Sequence, residues 1–251
     1  MKINKIEVDD TRSIVIIDDA FKFSELQDLY NACMTLNYKC TNTSFSDIQD
    51  IPDRRLRADL PQINMEKFMS QTQEGVGLRR SLCPDCGRKE TLETDGQANI
   101  PDDRICAVLF NNAERMANFN QIINPNDFEF DTVYANLGLC NDDHGIHVDH
   151  PKPNVGYTML VYPNLEWKAN WGGETAFYEE DCEEMIYLNP YKPGRICIFD
   201  GSIPHCAKPQ ALIGAKFRFT IAVKFASLDF LAATGRGKEQ EAIIPDVQSP
   251  T

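Results

Sequence analysis

The strongest alternation of apolar and polar positions in the chain lies at residues 216–225, KFRFTIAVKF. Phe217, Phe219, Ile221, Val223 and Phe225 occupy one register, and Lys216, Arg218, Thr220, Ala222 and Lys224 the other. Successive side chains of a strand point to opposite faces, so this segment reads as a strand with an apolar face on a core and a cation-bearing face opposite. At a sheet edge those cations would meet water, whereas inside a barrel they would line a cavity suited to an anion. Similar short runs begin at residue 128: FEFDTVYANL, GIHVDH, VGYTMLVYP, ETAFYEE, MIYLNP and GRICIFDG, each bounded by turn-forming residues. Short strands in series predict an all-β sandwich or barrel.

The first half is patterned differently. SIVIIDDAF is a β-branched run and reads as a strand. Leu26, Leu29, Tyr30, Cys33 and Leu36 then recur close to one helical face, which predicts a helix capped at or near Ser24. Residues 41–100 are mixed and predict loops and short helices. PDDRICAVLFNNAERMANFNQII reads as helical, with Pro101 and two aspartates in its first turn, where the helix dipole favours them. Since these helices precede the strands, they are expected to pack on one outer face of the β structure. The tail is polar and turn-rich. We find no internal repeat.

A chain of 251 residues is long enough for one large domain with a sizeable core. The formal net charge of -13 argues against a nucleic-acid binder, whose footprint is basic. No run approaches the about 20 apolar residues of a membrane span, and MKINKIEVDDTR lacks the apolar region of a signal peptide. A cytoplasmic protein with reduced thiols is therefore expected. CPDCG carries Cys83 and Cys86 at the spacing of half a zinc ribbon, but no second such pair exists to complete it. A structural zinc at Cys83 and Cys86, free thiols, and a disulfide or redox pair all stay open.

Histidine is scarce and unevenly placed. Three of the four histidines stand in DDHGIHVDHP, as His144, His147 and His150, and the fourth is His205 in FDGSIPHCAKP. In an extended segment His147 and Asp149 project to the same side, and His144 and His150 fall in the other register. With His205, the pair makes two imidazoles and one carboxylate, the facial set of non-haem Fe(II) oxygenases, which leaves coordination positions open for a cosubstrate and oxygen. His144 sits in a loop before Gly145, where it either backs a ligand or is exposed. His150 either orients substrate or has no role in the site.

The blocks HVDHP, YPNLEWKANWGGETAFY, KPGRICIFDGSIPHCAKP and FRFTIAVKF occur in the order and spacing of a known family. In them the sequence resembles the 2-oxoglutarate- and Fe(II)-dependent dioxygenases of the prolyl 4-hydroxylase-like branch. WGGETAFY and FDGSIPH look closest to hydroxylase-like proteins of bacteriophages. The resemblance covers about the last half of the chain and, more weakly, IVIIDDAF with its helix. It implies a mainly β fold with flanking helices around a double-stranded β-helix, a jelly-roll or cupin-like core. One domain would span 1–251, with helical support and a variable insertion in 1–127, the core in 128–228 and a tail in 229–251.

Carried over by position, the resemblance makes His147, Asp149 and His205 the metal ligands and catalytic centre. Arg218 would grip the far carboxylate of 2-oxoglutarate with its planar fork, with Lys216 as the reserve on the same face. Tyr162 would hydrogen-bond that carboxylate, and Tyr134 matches an active-site tyrosine; for each the other reading is core packing with a satisfied hydroxyl. Trp167 and Trp171 would pack, or shape the loop bearing GGET. The implied activity is hydroxylation of an unactivated C–H of a prolyl residue or small amino-acid-like substrate, using Fe(II), 2-oxoglutarate and O2 and releasing succinate and CO2. The partner is then a small-molecule or peptidyl substrate, with no nucleic acid and no membrane. Two alternatives stand beside it: a nucleic-acid oxygenase, and a non-catalytic jelly-roll module that binds metal.

Overall fold

The computed structural model describes residues 1–36, 39–40, 56–59, 100–140 and 145–234. Its strands are β1 (Lys2–Glu7), β2 (Ser13–Asp18), β3 (Lys39–Cys40), β4 (Leu56–Asp59), β5 (Phe128–Gly138), β6 (Gly156–Val161), β7 (Thr175–Tyr178), β8 (Met185–Asn189), β9 (Ile196–Asp200), β10 (His205–Ala207) and β11 (Arg218–Ser227). The larger sheet runs β1-β2-β9-β6-β11-β5-β4-β3 and the smaller β10-β7-β8, all pairings antiparallel. Neither sheet closes on itself among the described residues. The architecture is thus two antiparallel sheets with flanking helices.

The alternation at the C-terminal strand is realised from Arg218 onward, while Lys216 and Phe217 precede the strand. β11 lies between β6 and β5, and Arg218, Thr220, Ala222 and Lys224 are all buried, so its cation-bearing face meets protein rather than water. Phe219, Ile221, Val223 and Phe225 join a core with Met159 and Val161 of β6 and Ile196 and Ile198 of β9. Helices α1 (Phe23–Thr35), α2 (Ile100–Phe110) and α3 (Ala113–Ile122) close this core from outside through Leu29, Cys33, Ile105, Leu109, Met116 and Phe119. The expectation that the early helices cover one outer face is met. A short helix, α4 (Leu228–Thr234), follows β11. The opposite face of the larger sheet contributes Ile14, Ile16, Leu160 and Phe199 to a second core. Phe177 of the smaller sheet packs edge-on to Phe199 there, with centroids 4.9 Å apart, so this core lies between the two sheets. Among the described residues no helix is long and apolar enough to cross a membrane.

Several expectations are corrected. The helix over 101–123 is two helices, because the Asn112 side chain accepts the Arg115 N–H at 2.9 Å and starts a new helix there. Arg115 is itself fully buried and donates to Ala20 O, Leu109 O and Glu25 Oε1, which ties α3 to α1 and α2. Helix α1, expected to be capped at or near Ser24, starts at Phe23 with Lys22 as its cap, where the Glu25 carboxylate accepts the Lys22 N–H at 2.7 Å. The charged N-terminal KINKIE is an edge strand, which its exposed lysines suit. GIHVDH is not a strand. It forms a single bridge, His147 to His205, and then bends.

Candidate metal centre and anion pocket

The bridge at His147 places the histidines side by side. His147 N–H donates to His205 O at 3.0 Å and His205 N–H returns to His147 O at 2.9 Å. His205 opens β10, whose partner β7 holds it in the smaller sheet. Two residues on, Asp149 N–H and His150 N–H both donate to Gly201 O, at 2.7 and 3.0 Å, just past the end of β9 in the larger sheet. The His147–Asp149 segment therefore spans from one sheet to the other, and its two functional side chains converge where the sheets meet.

Each imidazole is oriented by the carbonyl two residues before it. His147 Nδ1 lies 3.0 Å from Gly145 O, and His205 Nδ1 lies 2.9 Å from Ile203 O. A carbonyl oxygen only accepts, so the Nδ1 proton belongs in each contact and the lone pair of the neutral ring sits on Nε2. His147 Nε2 is 3.9 Å from Asp149 Oδ1, and His205 Nε2 is 3.4 Å from Asp149 Oδ2. One donor atom from each of the three residues lies within 4.8 Å of the others, and among the described residues this is the only such group of three. Two imidazole nitrogens and one carboxylate oxygen are the donors that Fe(II) takes in a facial set.

Asp149 is buried beside cations. Burial pushes its carboxyl upward; Lys224, then His205 and His147, outweigh that and hold it well below the usual carboxylate range. The Lys224 ammonium contacts Asp149 Oδ2, and the Thr158 hydroxyl donates to the same oxygen at 2.6 Å.

The sheet register builds the rest of the cavity. Opposed residues of an antiparallel pair share a face. Ala222 stands opposite Leu160 on one side and Tyr134 on the other, and Thr220 stands opposite Asn136. These line one cavity with His147, His205, Lys224 and Arg218. Arg218 is buried, donates from Nε to Gly173 O at 2.8 Å and from Nη1 to Thr220 Oγ1 at 2.8 Å, and lies over the rings of Tyr191 and Tyr162 at 5.1 and 5.9 Å. Both acceptors are neutral. Among the described residues no carboxylate contacts this guanidinium; Glu174 acts on it only at longer range. Burial pulls its pKa down and Glu174 partly opposes this, yet arginine stays protonated in proteins, so the cavity contains a cation that no carboxylate touches.

No protein-family model and no curated protein matches the chain. Its fold has clear counterparts. An oxidoreductase of the 2OG-Fe(II) oxygenase family from Burkholderia pseudomallei superposes with a TM-score of 0.55 at 13% identity, covering 85% of each chain. The fold is that of the 2OG-Fe(II) oxygenases. A prolyl hydroxylase from Trichoplax adhaerens, solved with a peptide of the hypoxia inducible factor oxygen degradation domain, gives 0.52 at 12% identity, covering 88% of this chain and 86% of that one. A Pseudomonas putida prolyl-4-hydroxylase gives 0.51 at 14%, covering 85% and 92%.

The other candidate residues differ in where they stand relative to this cavity. Tyr134 lines the cavity, with Lys224 Nζ 5.8 Å from its ring centroid. Tyr162 is fully buried beneath Arg218; its hydroxyl meets Thr175 Oγ1 at 2.8 Å and accepts from Asn189 Nδ2 at 2.8 Å. Burial holds that phenol above its ordinary pKa. Lys216 is exposed ahead of β11, over the ring of Phe217, and is not among the cavity's lining residues. Trp167 donates to Gly172 O at 2.9 Å and stacks near Tyr191, so it does shape the GGET loop.

His150 belongs to the packing. It is buried against Gly156 and Gly201, where an added Cβ would come within 2.3 Å of its ring, and meets Phe230 edge-on. His144, Cys83 and Cys86 lie outside the described residues. Sequence reasoning missed the polar wall behind Arg218. Asn164 Oδ1 accepts the Phe219 N–H at 2.9 Å and lies 2.6 Å from the Tyr191 hydroxyl. It also gave no role to Thr158, although Thr158 stands directly opposite Lys224 in the register.

Proposed function

We propose that the chain is an Fe(II)- and 2-oxoglutarate-dependent dioxygenase that hydroxylates an unactivated C–H of a prolyl residue or a small amino-acid-like molecule. The observation that carries this is a buried guanidinium that no carboxylate contacts, lining the same cavity as the two histidines of a His-Asp-His triad. Such a cavity suits a dicarboxylate that reaches the triad with one end and Arg218 with the other. The triad fits the metal: both Nδ1–H groups are engaged by carbonyls, and both Nε2 atoms and the carboxylate converge. Fe(II) held there would supply open positions for a 2-oxo acid and oxygen, linking decarboxylation to succinate with oxidation of a C–H bond.

The protein's own contribution is placement. Arg218, backed by Tyr191 and Tyr162, fixes the far carboxylate, and Tyr134 borders the space left for substrate. On this reading the two sheets are the halves of a double-stranded β-helix, with 128–228 as the core of a single domain. Two of the structures similar in fold are prolyl hydroxylases, one solved with a peptide, so prolyl peptides head the list of substrates to screen.

The test is succinate release from 2-oxoglutarate with Fe(II), screened over prolyl peptides and free amino acids. Substrate-stimulated succinate is expected from the wild type, and background from His147→Ala and Asp149→Ala. Undiminished turnover in either variant would overturn the assignment.

A further inference from the structure

Lys224 is a cation of β11 that the proposed chemistry does not use. It is buried, and its ammonium contacts Asp149 Oδ2 while donating to Thr158 Oγ1 at 3.0 Å. The Thr158 hydroxyl donates to that same Oδ2 at 2.6 Å. Two donors thus converge on one oxygen of a metal-ligand carboxylate. Among the described residues no hydrogen-bond donor reaches Oδ1, which faces His147 Nε2 at 3.9 Å.

On the reading that the triad holds a divalent metal, we propose that Lys224 is a positioning residue that confines Asp149 to one-oxygen ligation and weakens the site's grip on the metal. The geometry leaves Lys224 little choice. Thr158 of β6 and Thr132 of β5 flank it in register, and the register shift comes directly after it. Oδ2 also faces His205 Nε2, at 3.4 Å, but it already holds the Lys224 ammonium and the Thr158 hydroxyl, so Oδ1 is the oxygen of Asp149 that a metal would take without displacing a donor. A metal held this way would keep open the position that a two-oxygen carboxylate would take. An ammonium fixed beside a dication in a buried setting also repels it, with little solvent to screen the effect. In the metal-free chain the same ammonium is the counter-ion of Asp149, and without it a buried carboxylate would lose its cation. Lys224 therefore keeps the site formed when empty and makes the metal compete for Asp149.

Mn(II) titration of the full chain by calorimetry tests this in wild type, Lys224→Gln and Lys224→Arg. Lys224→Gln keeps a hydrogen-bond donor and removes the charge, and is expected to bind Mn(II) about tenfold more tightly or better. Lys224→Arg keeps the charge and is expected to stay within about threefold of wild type. Equal or weaker binding by Lys224→Gln would overturn the proposal. Absence of Mn(II) binding by the wild type would instead remove the triad reading on which it rests. If Lys224→Gln does not fold alone, it is refolded against Mn(II). Folding at or below the wild-type Kd supports the proposal, and failure at saturating Mn(II) overturns it.

Discussion

The triad end of the cavity draws two of its three side chains from a segment with almost no regular structure, whereas the Arg218 end draws one side chain from a strand inside the larger sheet. His147 and Asp149 sit on a single bridge and a bend, and they are placed by backbone hydrogen bonds to His205 O and Gly201 O. Arg218 is placed by its register in β11 and by a wall of buried side chains, Tyr162, Tyr191, Thr220 and the Gly173 carbonyl. A centre that must gather three ligands needs chain from both sheets at their junction. A pocket for one carboxylate needs a single fork and a low-polarity setting that strengthens its attraction. The two ends should therefore fail separately.

The largest test of that separation is Arg218→Met, which fills similar volume without charge. Loss of a buried charge-assisted contact costs about 1.5–3 kcal/mol, so the Kd for 2-oxoglutarate should rise roughly 10- to 100-fold. Mn(II) affinity should stay within about twofold, since the triad's hydrogen bonds do not pass through Arg218. Parallel loss of metal affinity would show that the two ends are one unit.

The opposite end is probed through its backbone support. An alanine at Gly201 would put a Cβ 2.3 Å from the His150 ring and 3.3 Å from Asp149 Cβ. Gly201→Ala is expected to destabilise the fold by about 1–3 kcal/mol in urea denaturation, the range for overpacking. It should also weaken Mn(II) binding, because Gly201 O holds both Asp149 N–H and His150 N–H. Unchanged stability and metal affinity would mean that this turn does not set the triad.

The same contrast explains what could be read from sequence. Strict alternation in KFRFTIAVKF put Arg218 and Lys224 on one face, and a buried strand has no freedom to place them otherwise. The ligand set was legible because imidazole is rare in this chain and because His205 follows an apolar strand. The path that brings His205 to His147 was not, since a single bridge carries no periodicity. Parity separated His150 from His147, but only packing shows why it is there: two glycines far apart in sequence make its socket. The polar wall behind Arg218 escaped for the same reason. Asn164, Asn189 and Tyr191 lie outside or at the ends of strands, and each looks like an ordinary turn residue until the sheets close over it.

Tyr162 gives the smallest and finest test, because it separates contact from support at the Arg218 end. The family resemblance implies that its hydroxyl meets the far carboxylate of 2-oxoglutarate. In the structure that hydroxyl already meets Thr175 and Asn189. If it supports, Tyr162→Phe loses about 1 kcal/mol of stability, the worth of a buried hydrogen bond, and the KM for 2-oxoglutarate shifts less than about threefold. If it touches the carboxylate, KM rises about tenfold or more with stability nearly unchanged, because the cosubstrate rather than the apo fold loses a donor. The geometry favours the first outcome. Asn189 donates to the phenolic oxygen, which leaves Thr175 as the partner that receives its proton. Thr175 lines the cavity where Tyr162 does not, so the polar atom that a carboxylate bound there would meet from this side is the Thr175 hydroxyl, held in place by Tyr162.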